Sequence, residues 1–246
     1  MSQIQVLSQS TIDKIAAGEV VERPLSVVKE LTENAIDAGA TAITVEIKEG
    51  GISLIRVTDN GSGIEKNQVK KAFLRHATSK ITSIEDLNIV ESLGFRGEAL
   101  SSIAAVAQVE VITKTEKELT GVRFAISGGV EEELEEIGAP SGTTFFVRNL
   151  FFNTPVRRKF LKQPQTEGGY VADLLERLAL SHPEISVKFI QNNQLKFHTS
   201  GNGNLKEIIY RIYGRDMADA VLPFEMEGNG FSVKGFLGKP EINRSN

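Results

Sequence analysis

The amino-acid sequence predicts an α+β protein, in which strands follow one another in runs rather than alternating strictly with helices. Pro24 suits the first turn of a helix and Gly39 its C-terminal stop, and the residues between them have apolar positions on one face, which predicts a helix. Alternating apolar residues over 42–48 and 52–58, joined by Glu49-Gly50-Gly51, predict a β-hairpin. Four further strands are expected at 108–114, 120–127, 131–136 and 143–148, a run that is typical of this fold class.

The remaining segments add helices and strands around this framework. We expect helices over 10–17, ending at Gly18, over 65–74 and over the alanine- and serine-rich segment 98–107. Pro155 begins a basic helix, 165–181 forms a longer amphipathic one, and strands follow at 185–191 and 194–199. Ser200-Gly201-Asn202-Gly203-Asn204 is the best candidate for a linker, which predicts one domain over 1–203 and the start of another over 204–246.

Composition excludes several classes of protein. The 246 residues, 40% of them hydrophobic, suffice for one large domain or two small ones. The net charge of -4 argues against a dedicated, strongly basic nucleic-acid binder but leaves room for a local basic patch. The absence of cysteine excludes disulfides and thiolate metal sites, and the three histidines have no zinc-binding spacing. Because no signal peptide and no apolar stretch of bilayer length is visible, we expect a cytoplasmic protein.

The helix predicted between Pro24 and Gly39 carries the most informative polar residues. At 100° per residue, Glu30, Asn34 and Asp37 fall within about 60° of one another, whereas apolar residues cluster near the opposite side. A carboxylate can accept a proton from water, and an amide oxygen can ligate a hard cation such as magnesium. One helix could therefore carry a general base and a metal ligand, although an ordinary amphipathic helix has the same pattern.

Two glycine-rich segments have the composition of a nucleotide site. In Asp59-Asn60-Gly61-Ser62-Gly63 the aspartate could accept a hydrogen bond from an adenine amino group, and Gly61 and Gly63 would allow close approach. Gly94-Phe95-Arg96-Gly97-Glu98-Ala99-Leu100 places backbone amides at a helix N-terminus, which suits phosphate oxygens. The polar, irregular segment 75–97, which contains Thr78, Ser79 and Lys80, is typical of a functional lid. Taken alone, each segment is more often an ordinary turn or helix cap.

A basic cluster occupies the segment that follows the last strand of the run. It consists of Arg148, Arg157, Arg158, Lys159 and Lys162, with no acidic residue between its ends. The cluster could contact the phosphates of a nucleic-acid backbone, or it could be a solvated helix face.

In combination, these motifs resemble the GHKL ATPases, a superfamily that includes the ATPase subunit of DNA gyrase, a chaperone family and sensor histidine kinases. The order of the superfamily motifs is Glu30…Asn34…Asp37, Asp59-x-Gly61-x-Gly63, Gly94-x-x-Gly97 and Gly142-Thr143. Four longer segments are similar to the MutL family of mismatch-repair proteins: Ile15 to Pro24, Arg75 to Lys80, Gly94 to Leu100 and Phe152 to Phe160. The resemblance extends over nearly the whole chain.

The resemblance implies a Bergerat-type sandwich, in which helices cover a mixed, mainly antiparallel sheet, followed by the start of a ribosomal-S5-like transducer domain. It implies that Glu30 activates the attacking water, that Asn34 holds Mg²⁺, and that Asp59, supported by Thr143, binds the adenine of ATP. The remaining residues implied in ATP binding are Asp37, Gly61, Gly63, Thr78, Ser79, Lys80, Gly94, Phe95, Arg96, Gly97, Glu98, Ala99 and Leu100.

The resemblance also implies partners. ATP would close the N-terminal halves into a dimer, with residues 1–8 as a clasping arm, and would link the mismatch-recognition protein MutS to a downstream nuclease or helicase. DNA binding would be weak and non-specific, and the protein would not bind a membrane. Since no residue matches the lysine that the family's transducer domain contributes, hydrolysis by this chain is expected to be impaired. Alternatives are another GHKL role, such as a topoisomerase subunit or chaperone, and a nucleotide-free scaffold.

Overall fold

The computed structural model describes residues 5–6, 8–78 and 97–242, without the side chains of residues 9 and 10. Within these ranges the helices are α1 (Gln9–Val20), α2 (Pro24–Asp37), α3 (Val69–Ala72), α4 (Ala99–Val106), α5 (Pro155–Phe160), α6 (Pro164–Ser181), α7 (Leu205–Tyr213) and α8 (Arg215–Asp219). The strands are β1 (Ala42–Lys48), β2 (Leu54–Asp59), β3 (Gln108–Lys114), β4 (Gly121–Ser127), β5 (Val130–Ile137), β6 (Gly142–Arg148), β7 (Ser186–Gln191), β8 (Gln194–His198), β9 (Val221–Gly228) and β10 (Phe231–Gly238).

Eight strands form one mixed sheet in the order β5-β4-β3-β6-β2-β1-β7-β8. Neighbouring strands run antiparallel except for β1 and β7, which are parallel. This arrangement confirms the predicted fold class. In the β2–β6 register, Asp59 lies opposite Thr143, so the end of β2 brings together two residues that the sequence places 84 positions apart.

Helices α1, α2, α4 and α6 pack around a shared apolar core on the sheet. Val27, Val28 and Leu31 of α2 are buried, which confirms the apolar face that the sequence predicts for this helix. Along β3, Val109, Val111 and Thr113 are buried and the residues that alternate with them are only partly buried, as expected where one face of a strand meets a core. Burial of each such apolar side chain contributes about 1.5–3 kcal/mol, and this core fixes α2 on the sheet.

Two local expectations are wrong, and one helix was missed. α1 does not end at Gly18 but continues to Val20, because Gly18 stays helical and its missing side chain leaves room for the Arg157 guanidinium. The helix expected over 65–74 is reduced to α3, because the backbone hydrogen bonds on either side of it span three residues rather than four: Gln68 N–H donates to the Glu65 carbonyl, and the N–H groups of Phe73 and Leu74 donate to the carbonyls of Lys70 and Lys71. The helix α8 was not expected.

The segment after residue 204 has a small core of its own. β9 and β10 pair with each other outside the eight-stranded sheet, and Ile209, Ala218 and Val221 form a separate buried cluster. Ile208 of α7 belongs instead to the main core, so α7 contacts both. The domain boundary at 203/204 stays a prediction. In the described part of the chain, no helix is long and apolar enough to cross a membrane.

Candidate functional site

A cleft of about 860 Å³ lies beside α2, close to the end of β2 and to the starts of β6 and α4. This volume is within the usual range of small-molecule sites, roughly 300–1,000 Å³. Ten of the residues that the sequence predicts for the site line it: Glu30, Asn34, Asp59, Gly63, Thr78, Gly97, Glu98, Ala99, Leu100 and Thr143. The fold therefore brings five separate segments of the chain to one cavity.

Two other predicted site residues do not line the cleft, and the rest fall outside the described residues. Asp37 is the last residue of α2 and Gly61 follows β2, and neither lines the cleft. Ser79, Lys80, Gly94, Phe95 and Arg96 fall outside the described residues, as do Ile4 and Leu7 of the expected N-terminal arm. Their roles stay predictions.

The polar face of α2 supplies the carboxylate and the amide. Glu30 and Asn34 lie one turn apart and both line the cleft. The Nζ of Lys29 lies 4.0 Å from Glu30 Oε1 and 3.2 Å from Glu33 Oε1, so a cation accompanies the two carboxylates. Among the described residues, no group of three or more histidines, aspartates and glutamates converges as a metal site. An amide in a cleft still suits Mg²⁺, which commonly takes few protein ligands and completes its shell with water and phosphate oxygens.

Asp59 is held in a fixed position at the end of β2. Its carboxylate accepts a hydrogen bond from the backbone N–H of Gly61 at 2.8 Å and another from the backbone N–H of Thr143. Burial raises the pKa of the Asp59 carboxyl, and these two hydrogen bonds partly oppose the rise. A partly buried, oriented acceptor of this kind favours a ligand that brings its own hydrogen-bond donor.

Thr113 supports this corner of the cleft, and the sequence analysis missed it. Its hydroxyl lies 3.0 Å from that of Thr143, donates to the Gly142 carbonyl and accepts the N–H of Ile64 at 2.9 Å. Thr113 lies opposite Thr143 in the β3–β6 register. Only the pairing of the strands reveals this role, because no local motif surrounds Thr113.

Two glycines permit close crossings of the backbone around the cleft. Gly63 has φ +72°, and a Cβ there would overlap with the Lys114 carbonyl. Gly97 has φ +62°, and its Cβ would lie 2.7 Å from the carbonyl oxygen of Ala77. A side chain is strained at both positions. The backbone of Gly97 thus lies close to that of Ala77, and His76 Nδ1 lies 3.2 Å from Glu98 Oε1. These two contacts connect the two ends of the expected lid.

The structure divides the basic cluster that the sequence predicts. Arg148 lies 4.7 Å over the Phe146 ring, with its Nη2 3.7 Å from the Glu110 carboxylate. Arg157 packs against α1. Only Arg158, Lys159 and Lys162 remain as an exposed basic group on and after α5.

Comparisons with known proteins identify the family. Residues 22–141 match a family described as histidine kinase-, DNA gyrase B- and HSP90-like ATPase. The Aquifex aeolicus MutL ATPase domain complexed with ADP shares 31% identity, covers 92% of this chain and 80% of its own, and superposes with a TM-score of 0.73. This chain belongs to the MutL family. MutL proteins of Agathobacter rectalis and Caldanaerobacter subterraneus are 68% and 50% identical to it over all 246 residues. The chain spans only 38% and 42% of their respective lengths.

Proposed function

We propose that this chain is the ATP-binding and ATP-hydrolysing region of a MutL protein and acts as a switch in DNA mismatch repair. The observation that carries the proposal is the convergence of Glu30, Asn34, Asp59 and the start of α4 on one cleft. The MutL domain of A. aeolicus that was solved with ADP supports a nucleotide as the ligand.

The adenine end of the proposed site is the Asp59 corner. The carboxylate accepts the exocyclic amino group of adenine, and its two backbone hydrogen bonds keep it oriented without a ligand. Because Gly63 has no side chain, the loop after β2 can pack directly against the backbone of Lys114 and so keeps its position next to this acceptor. Guanine presents a carbonyl where adenine presents its amino group, so the corner should favour ATP over GTP.

The phosphate end is the start of α4. Backbone N–H groups from Gly97 to Leu100 lie at the positive end of the helix dipole, and the Thr78 hydroxyl lines the same cleft. Lys29 and Lys71 also line the cleft and add positive charge. The further residues that we assign to this end by family resemblance are Ser79, Lys80, Gly94, Phe95 and Arg96.

The α2 face supplies the chemistry. We assign Asn34 as the protein ligand of Mg²⁺ and Glu30 as the base that accepts a proton from the attacking water. Magnesium, when bound, neutralises charge on the phosphate oxygens, which is much of what phosphoryl transfer requires. We also expect slow turnover in this chain, since none of its residues matches the lysine of the family's transducer domain.

Further proposals concern the assembled protein. We assign residues 1–203 to the ATPase domain and 204–246 to the start of the transducer domain. We propose that ATP closes two N-terminal halves into a dimer that communicates with MutS and with a downstream nuclease or helicase in the cytoplasm. Similarity to MutL relatives along all 246 residues favours this role over a topoisomerase subunit or a chaperone.

Calorimetric titration with a non-hydrolysable ATP analogue, with and without Mg²⁺, tests the proposal. We expect saturable binding with one nucleotide per chain, tighter with Mg²⁺ and much weaker for the GTP analogue. Failure to bind either nucleotide under both conditions would leave a nucleotide-free scaffold as the better explanation.

A further inference from the structure

The end of α1 forms part of the cleft wall but lacks a charge of its own to stabilise it. Glu19 and Val20 line the cleft, and α1 packs against α4. The last turn of α1 contains no basic residue, although a cation is favoured at that end of a helix. Glu19 places a negative charge there instead. Another part of the chain must therefore hold this end of the helix in place.

Arg157 of α5 occupies that position. Its Nη2 donates to the carbonyl oxygen of Ile15 at 3.4 Å, and a Cβ built on Gly18 would overlap with its guanidinium group. Gly18 is thus the gap in the helix surface that admits the arginine. The positive charge of α5 thereby reaches the C-terminal half of α1.

Arg157 is half-buried, and the enclosure of one of its guanidinium nitrogens distinguishes it from an ordinary surface arginine. Its Nη1 is enclosed and has no hydrogen-bond partner among the described residues. An enclosed, unpaired N–H costs free energy, which an arginine on an exposed helix avoids by turning towards water. The packing against α1 therefore holds the guanidinium in place despite this cost.

We propose that Arg157 is a positioning residue for the nucleotide cleft, an inference that rests on the proposed function. It does not line the cleft itself; it holds the last turns of α1 so that Glu19 and Val20 form the wall. Arg75 holds the preceding turn, with its Nη2 3.3 Å from the Asp13 carbonyl and 3.2 Å from the Asp13 carboxylate. The Arg157–α1 contact thus makes nucleotide affinity depend on a side chain of α5.

Three variants of this chain test the contact: Arg157→Ala, Gly18→Ala and the double variant. Loss of this long, exposed hydrogen bond and of the packing around it should raise the Kd of the ATP analogue several-fold, to at most about tenfold, in Arg157→Ala. Gly18→Ala should weaken binding in the same direction, because the new methyl group displaces the guanidinium, although alanine is the better helix former. The double variant should bind no more weakly than either single variant, since both remove one interaction.

Matched controls separate positioning from general stability. Arg177→Ala removes an exposed helical arginine, and Gly169→Ala fills a helical glycine with nothing within 4 Å of the new Cβ. Both should leave the Kd unchanged. Arg157→Lys should restore part of the affinity, because it keeps the charge but not the planar group.

Amide hydrogen exchange without nucleotide gives a second readout. Residues 9–20 should exchange faster in Arg157→Ala while α6 is unaffected. Unchanged exchange in α1, an unchanged Kd for Arg157→Ala, or losses that add in the double variant would each overturn the inference. Failure of the unsubstituted chain to bind nucleotide would refute the proposed function, whereas the exchange result judges the contact without any nucleotide.

Discussion

Replacement of Asp59 by alanine should separate nucleotide recognition from metal binding. The carboxylate is the oriented acceptor at the end of β2, and a hydrogen bond to a charged group contributes about 1.5–3 kcal/mol. We therefore expect the Kd for the ATP analogue to rise about tenfold to 150-fold. This fold-increase in Kd should be the same with and without Mg²⁺, because Asp59 binds the adenine rather than the phosphates.

The stability of the unliganded protein should change much less in the same variant. The N–H groups of Gly61 and Thr143 lose their acceptor, which is destabilising. Removal of a carboxylate whose pKa is raised by burial is stabilising at neutral pH, and the two effects oppose each other. Thermal unfolding should therefore show a change of the free energy of unfolding of no more than about 1 kcal/mol.

The raised pKa of Asp59 also predicts how the unsubstituted chain responds to pH. Because the folded state holds this proton more tightly than the unfolded state, the contribution of Asp59 to stability falls as pH rises from about 3.8 through the raised value. Nucleotide affinity should rise over the same window, since only the ionised carboxylate accepts without donating. Titrations at a series of acid pH values measure both trends.

Ser62→Ala is the matched control for Asp59→Ala. Ser62 is exposed in the same loop, and its hydroxyl donates only a long 3.4 Å hydrogen bond to the neighbouring Gly63 carbonyl. Its Kd should equal that of the unsubstituted chain. An Asp59→Ala variant that binds ATP normally, or that loses affinity only when Mg²⁺ is present, would refute the assignment of adenine to this corner.

The other predictions concern catalysis, metal, DNA and assembly. Glu30→Ala should keep ATP binding but lower the hydrolysis rate about 10²- to 10⁴-fold in a chain with the whole transducer domain, and an unchanged rate would remove Glu30 from the mechanism. Asn34→Ala should lose mainly the Mg²⁺-dependent part of ATP affinity; a normal magnesium dependence in the titration would contradict the ligand assignment. DNA binding, measured by fluorescence anisotropy, should be weak and lost as salt rises, and replacement of both Arg158 and Lys159 by alanine should weaken it further and make its salt dependence shallower; salt-resistant or mismatch-selective binding would contradict it. Light scattering should show a dimer of the complete N-terminal half only with the ATP analogue, and deletion of residues 1–8 should weaken that dimer more than it weakens nucleotide binding.

The sequence predicted elements with strong local signals and missed those that depend on tertiary contacts. The helix α2 lies where it was predicted, between Pro24 and the stop at Gly39, because these two residues and the apolar face are all local features. The end of α1 was placed wrongly because a glycine usually marks the C-terminus of a helix, whereas Gly18 here makes room for Arg157. The role of Gly18 thus depends on Arg157, which lies far away in the sequence, and the residues around Gly18 do not indicate this contact.

The residues of the candidate site also divide into those with a local signal and those that depend on tertiary contacts. Its motif residues were found because the carboxylate, amide and glycines each have a chemical reason to lie near a nucleotide. Thr113 and the residues at the end of α1 were not found, since only strand register places Thr113 next to Thr143 and only helix packing brings Glu19 and Val20 to the cleft. The basic segment was overestimated as one patch, because sequence spacing does not reveal that Arg148 and Arg157 pack against other parts of the fold.

Hydrogen exchange with and without the ATP analogue and Mg²⁺ tests the central claim, that a nucleotide occupies the cleft beside α2. Protection should increase at the end of β2 and its loop (59–63), in α2, at the start of α4 and around Thr143. It should stay unchanged in β8 and in the β9–β10 hairpin. Saturable binding without added protection at residues 59–63 and 97–100, or protection confined to the hairpin, would contradict the account.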